Sequence, residues 1–255
     1  MNEKISFMVN QRPSAFVNLY RGFRFGKHKA KLGATLPMAG VKWFGVRLNS
    51  KYLERFSSIC GLERKPYLPV LYPFTLIYPL KLWLISQREI HLPMFKMLTT
   101  RNETIMYRKI RVDEELNITA NIVGQQFTLK GMEFYILSKL MVDTETVWEN
   151  KSTLYIPGKH RIENIRDTSV RFKNIPEAKE IAAWYLDDKD RLLFSRVIGD
   201  SNGIHYSPKY AKMLGYDRDF AQPIRVASKC LEFFYDYSED FPLTVVDLMF
   251  KGPVC

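Results

Sequence analysis

Cysteine is scarce in this 255-residue chain, and the scarcity excludes two architectures together. The three cysteines, Cys60, Cys230 and Cys255, are odd in number, widely separated and without metal-ligand spacing, so neither a disulfide framework nor a zinc site is expected. That pattern suits a reducing compartment, and a cytoplasmic location is expected. Acid is the second shortage: 27 Asp and Glu stand against 38 Lys and Arg, a net charge of +11. The surplus favours anionic partners, whether nucleic acid, anionic lipid, an acidic carrier protein or a nucleotide-containing cofactor; charge alone does not choose among them. Uninterrupted apolar sequence is the third. The run from Leu71 to Ser86 is broken by Pro73, Pro79 and Lys81, and it falls short of the roughly 18 to 20 residues of a membrane-spanning helix. The N-terminus has no apolar stretch ahead of a small-residue cleavage site, so no transmembrane or signal segment is expected.

What is present suffices for a large core. With 46% hydrophobic content the chain can bury one large domain or two units of roughly 100 to 150 residues. Residues 1–45 read as a basic extension, in which Arg21, Arg24, Lys27, His28, Lys29 and Lys31 are interleaved with Phe23 and Phe25. That composition can grip phosphates and stack on bases, yet a plain solvated face has it too, and an anionic cofactor or lipid fits as well. No nucleic-acid partner is expected. Ser50 can cap a helix carrying Tyr52, Leu53, Phe56 and Ile59, with Gly61 as its stop. The stretch from Phe74 to Ile85 is apolar nearly all round, which requires a buried helix, kinked at Pro79.

The period then changes to two. Leu116, Ile118, Ala120 and Ile122 alternate with polar residues, and Met132, Phe134, Ile136, Ser138, Leu140 and Val142 mark one face of a longer strand. Ile105 to Val112 and Thr146 to Ile156 complete an expected four-strand antiparallel run, with turns near 113–114, 124–131 and 143–145. Residues 157–189 lack periodicity and read as a linker. Beyond it, Ile224, Ala227, Leu231 and Phe234 share a helical face, and Leu243 to Phe250 reads as a strand.

Between these segments lies Ile198-Gly199-Asp200-Ser201-Asn202-Gly203-Ile204-His205. Leu193, Phe194, Val197 and Ile198 give the preceding helix an apolar face, and Ser207 can cap a following helix through Ala211, Met213 and Leu214. An acid and an imidazole five residues apart, in a loop that Gly199 and Gly203 allow to turn, can face one another as an acid/base pair. His28, His91 and His160 have no such setting and read as structural or surface residues.

The run from Phe194 to Pro208, with Ala211 and Gly215, resembles the signature of the MaoC-like hydratases and dehydratases, the (R)-specific enoyl-thioester enzymes. Their pattern is Gly-Asp-x-Asn-Pro-aliphatic-His, and Gly203 stands here in place of the proline. Leu71-Tyr72-Pro73-Phe74 and Thr100-Arg101-Asn102 echo the same family. The resemblance implies an α+β double hot-dog, two antiparallel sheets each wrapped around a central helix. Residues 46–156 would form a non-catalytic first unit, and residues 190–255 a second unit that carries the motif and is expected to be incomplete after Cys255.

The implied reaction is reversible syn addition of water to a trans-2-enoyl thioester, giving an (R)-3-hydroxyacyl thioester of lipid metabolism. Asp200 and His205 would transfer the protons, with Asn202, Gly199 and Gly203 supporting the loop. Coenzyme A or an acyl carrier protein would be part of the substrate, with no other cofactor and no metal, and there is room for a homodimer. In the family a backbone N–H at the entry of the core helix donates to the thioester oxygen. Here Gln222-Pro223 occupies that entry, and proline has no N–H, so the donor would be Ile224 or Gln222 through a shifted backbone, or it is missing. A second function class stays open: a catalytically silent protein that binds acyl thioesters or serves as a partner subunit.

Overall fold

The computed structural model of the chain describes residues 5–25, 35–90, 92–158, 179–180, 182–200, 202–233 and 243–250. Its centre is helix α3 (Phe74–Ile85), the stretch without a polar face. Leu76, Ile77, Leu80, Leu84 and Ile85 are all buried, so the helix is covered on every side rather than along one stripe. Pro79 removes one hydrogen bond within it and frees the carbonyl of Thr75 four residues earlier. Arg12 donates to that oxygen at 3.1 Å, and Asn18 donates to the Pro79 carbonyl at 3.0 Å. The residues that read as a basic extension thus supply partners for the helix's own backbone. They also form β1 (Ile5–Val9), α1 (Ala15–Phe25) and β2 (Ala39–Val46).

A seven-stranded sheet curls around α3 in the order β1-β2-β4-β5-β6-β3-β7, where β3 is Leu98–Met106, β4 Leu116–Thr128, β5 Gly131–Val142, β6 Glu145–Pro157 and β7 Thr244–Met249. The β1–β2 pair is parallel and the rest are antiparallel. The alternating residues of β4 and β5 face the core as their period requires, and Trp148 of β6 meets Phe74 edge to face, with ring centroids 5.7 Å apart.

Three boundaries differ from those read off the sequence. The strand expected at Ile105 to Val112 lies earlier, as β3, because its inward residues Asn102 and Thr104 are polar and give no apolar alternation. The turn expected over 124–131 shrinks to the two residues between β4 and β5, with a register shift between Ile122 and Gly124 absorbing the irregularity. Helix α2 (Ser50–Cys60) is capped one residue sooner, by Asn49, whose side-chain oxygen accepts from Lys51 N–H at 3.0 Å.

Residues 190–250 contribute α4 (Arg191–Ile198), α5 (Pro208–Met213), α6 (Pro223–Glu232) and β7. Helix α6 is the shorter version of the expected core helix: Phe233 is its cap, and Phe234 lies outside the described residues. It buries Ile224, Arg225, Ala227 and Ser228, and Arg225 donates to the Ile59 carbonyl at the end of α2 at 3.3 Å. The α+β hot-dog architecture is present, and among the described residues its strands form one continuous sheet, because β7 adds directly to the edge of β3. Arg101 on β3 clasps Asp247 on β7 through two hydrogen bonds of 2.9 and 2.7 Å. Residues 159–178 and 181 of the expected 157–189 linker, residues 251–255, and His28, His91 and His160 lie outside the described residues. Among the described residues no helix is long and apolar enough to cross a membrane.

Candidate active site

The polar loop begins where α4 must stop. Gly199 sits at φ +80°, a conformation that side chains disfavour, and closes the helix by donating to the Ser195 carbonyl at 2.9 Å. A β-carbon at Gly199 would also lie 3.1 Å from Pro79, so this glycine lets the loop rest on α3. Asn202 then caps a single 3-10 turn, Gly203–His205, accepting from Ile204 N–H at 3.3 Å. Gly203 needs no unusual backbone; a β-carbon there would meet the Tyr210 ring at 2.9 Å, so its role is to leave space. Ser207 caps α5 through Tyr210 N–H.

This turn brings Asp200 and His205 together. The Asp200 carboxylate and the imidazole Nε2 are 3.5 Å apart, and both side chains are buried. The other ring nitrogen, Nδ1, lies 3.2 Å from the Phe220 carbonyl, an acceptor only, so Nδ1 carries a proton and Nε2 faces the acid. The Phe220 ring stands edge-on to the imidazole at 5.0 Å, and a buried ion pair of 3.1 Å between Arg191 and Asp219 anchors that segment to the start of α4. One Asp200 oxygen accepts from Asn202 N–H at 2.9 Å.

Two further polar side chains reach the cavity from α3, a helix that reads as an apolar run. Tyr78 hydrogen-bonds to Asp200, and its phenol is held well above the usual range by desolvation first, then by the Asp200 charge and that hydrogen bond. It therefore stays protonated and donates. Lys81, one turn further on, is buried; desolvation alone pulls it down to about 7. Its ammonium donates to Ser152 Oγ at 2.7 Å, and Ser152 lies 2.7 Å from both Asn102 Oδ1 and Asn150 Oδ1. The signal for Lys81 was present: a lone lysine in a helix that is apolar all round has no solvent face to reach.

Asp200, Asn202, His205, Tyr78, Lys81 and Gln222 line a cavity of about 320 Å³. Through Tyr78, Lys81, Asp200 and Asn202 it is continuous with an apolar cleft of about 760 Å³, walled by Phe16, Tyr20 and Phe23 of α1 and by Met94, Phe95 and Met213. A polar end opening into an apolar cleft suits a ligand with a reactive head and a hydrocarbon tail. Of the two N–H groups expected to bind an oxyanion, that of Ile224 is taken: it donates to the Gln222 side-chain oxygen at 2.7 Å. Gln222 caps α6 with its own side chain, and Pro223 occupies the first helical position.

No protein-family model matches the chain. It is 20% identical over 221 residues, 86% of its own length and 78% of the relative's, to 3-hydroxyacyl-thioester dehydratase X of Mycobacterium tuberculosis. In structure it is similar to HtdX of the same organism, with a TM-score of 0.69 at 18% identity, covering 84% of this chain and 83% of that one. It is also similar to a MaoC-like dehydratase from Phytophthora capsici, with a TM-score of 0.67 at 16% identity, covering 89% and 84%. The chain thus resembles the MaoC-like dehydratases in the wording of its polar loop and shares their hot-dog fold.

Proposed function

We propose that the chain interconverts trans-2-enoyl and (R)-3-hydroxyacyl thioesters by adding or removing water. The observation that carries this is the buried Asp200–His205 pair, 3.5 Å apart, at the polar end of an apolar cleft. A water held between the two side chains loses a proton to one of them as its oxygen bonds to C3. The pair then passes that same proton on to C2, so that both side chains end in their starting state. Tyr78 and the Asn202 N–H keep Asp200 oriented for this exchange. The cleft takes the acyl chain, and coenzyme A or an acyl carrier protein belongs to the substrate; the chemistry calls on no other cofactor. The (R) configuration follows from the resemblance to the hydratase signature, and a carrier of that kind is an anionic partner that suits the +11 net charge.

The sealed entry of α6 favours a second reading, a silent protein that binds acyl thioesters without turnover, because Pro223 and the engaged Ile224 N–H remove two donors from that helix end. Incubation with crotonyl-CoA decides between them. Loss of the enoyl-thioester absorbance with formation of (R)-3-hydroxybutyryl-CoA is the expected result. Tight binding of the acyl-CoA with no change in absorbance would establish the silent protein instead.

A further inference from the structure

The reaction just described needs a group to hold the thioester oxygen while C2 carries negative charge, and of the donors expected at the entrance of α6 only the Gln222 N–H is left for it. Proline at the first position of α6 has no N–H, and the next N–H is satisfied by Gln222. We propose that the Lys81 ammonium is that group: a further catalytic residue, on α3, which donates to the thioester oxygen as it becomes enolate-like. The assignment rests on the hydratase reading for its substrate, and on the following geometry for its residue.

Lys81 follows Tyr78 by one helical turn, and Tyr78 holds Asp200. Both residues line the polar cavity and the apolar cleft, so the lysine borders the channel that a thioester must occupy between the pair and its acyl chain. Its side chain is held in place by Ser152, which is itself buried among Asn102 and Asn150, with Asn150 donating to Thr104 Oγ1 at 3.1 Å. Those neighbours are all neutral. Among the described residues Lys81 forms no ion pair; its ammonium donates to Ser152 and lies 5.3 Å from the centre of the Phe74 ring and 5.8 Å from that of Tyr78. An ammonium has three donors, so two remain for a ligand.

A buried lysine without a carboxylate costs stability, and a structural role would be met more cheaply by an apolar side chain. A transient anion in the cavity changes that balance. Charge that develops in a water-poor site is stabilised strongly by a positioned cation, whereas the neutral thioester gains little, which is the differential that accelerates a reaction. Desolvation holds Lys81 near 7. The other ionisable groups that line this cavity are Tyr78, Asp200, His205 and Tyr216, and desolvation is the sole cause of the shift, so an arriving oxyanion would favour the charged form. No proton leaves Lys81 in the cycle. The C2–C3 π electrons move toward the thioester oxygen as water adds at C3, and they return to C2 when the pair delivers its proton.

Acetoacetyl-CoA tests this, because its enolate absorbs in the near ultraviolet and forms on a site that stabilises the oxyanion whether or not water is added. The wild type, Lys81→Met and Asp200→Asn are titrated with it, with calorimetry for binding and crotonyl-CoA for turnover. The wild type and Asp200→Asn should show the enolate band. Lys81→Met should bind within a few-fold but lose the band, and its kcat should fall about 100- to 1000-fold with KM little changed. A band present and lysine-dependent in a wild type that does not turn over crotonyl-CoA would remove the hydratase reading and leave this assignment standing. A band retained in Lys81→Met, or absent from the wild type, would overturn the assignment while leaving the hydratase reading to its own test. If the methionine variant does not fold, Lys81→Gln is measured in its place against the same outcomes.

Discussion

The two core helices of this chain differ in how much they reveal. Helix α3 is apolar all round, buried, and carries its two chemical groups, Tyr78 and Lys81, inside that apolar text. Helix α6 is amphipathic, covered on one face among the described residues, and sealed at its entrance by Gln222 and Pro223. The acid/base pair lies between them on a loop whose Gly199 rests on α3 and whose His205 is held by Phe220, just before α6. The difference teaches that the helix read as scaffold supplies polar groups to the site, while the helix expected to supply an oxyanion donor engages its Ile224 N–H in its own cap.

The largest effect should fall on the loop between them. Asp200→Asn and His205→Ala should each lower kcat for crotonyl-CoA by about 100- to 10,000-fold, with acyl-CoA binding by calorimetry nearly unchanged, because the lost interaction belongs to proton transfer. A parallel loss of binding would assign the pair to structure and break the contrast with α3.

Stability should separate the helices next. Leu80 is fully buried on α3, so Leu80→Ala should cost about 2 to 5 kcal/mol in denaturant unfolding. Leu231, partly buried on α6, should cost clearly less when changed to alanine. Equal losses would mean that α6 is as central as α3.

Lys81 gives a pH signature that α6 lacks. Its folded-state value of about 7 is depressed from 10.5, so the unfolded chain binds more protons between those limits and stability rises with pH across that window. The contribution is lost as pH falls toward 7 and is constant below it. The slope should approach about 1.4 kcal/mol per pH unit at most. Comparing thermal melts of the wild type and Lys81→Met from pH 7 to 10 checks it: the variant should lack this slope and be the more stable near pH 7. Identical pH dependence in both proteins would place the lysine in water.

What the sequence made legible follows from what its patterns measure. Periodicity found α3 to the residue, the inward faces of β4 and β5, and the two short helices around the loop, because apolar spacing records burial directly. The loop motif marked Asp200, Asn202 and His205, since spacing and side-chain type together constrain a turn. Strand β3 was displaced because Asn102 and Thr104 point inward and satisfy one another's neighbours by hydrogen bonds, an arrangement that no hydropathy pattern signals. Residues 5–25 read as a charged extension because the use of Arg12 and Asn18, which is to meet carbonyls around Pro79, depends on contacts more than sixty residues away. In the sequence Tyr78 reads as core and Lys81 as an interruption, since an apolar helix hides the direction in which each polar tip points.

The central claim is that the Asp200–His205 pair moves protons between water and C2 of an enoyl thioester. The most direct measurement is hydration of crotonyl-CoA in D2O, with the product read by NMR. The account expects one deuterium at C2 of the 3-hydroxybutyryl-CoA, added to the same face as the hydroxyl, and no comparable product from Asp200→Asn. Unchanged crotonyl-CoA in the wild type, or equal deuteration by Asp200→Asn, would contradict it.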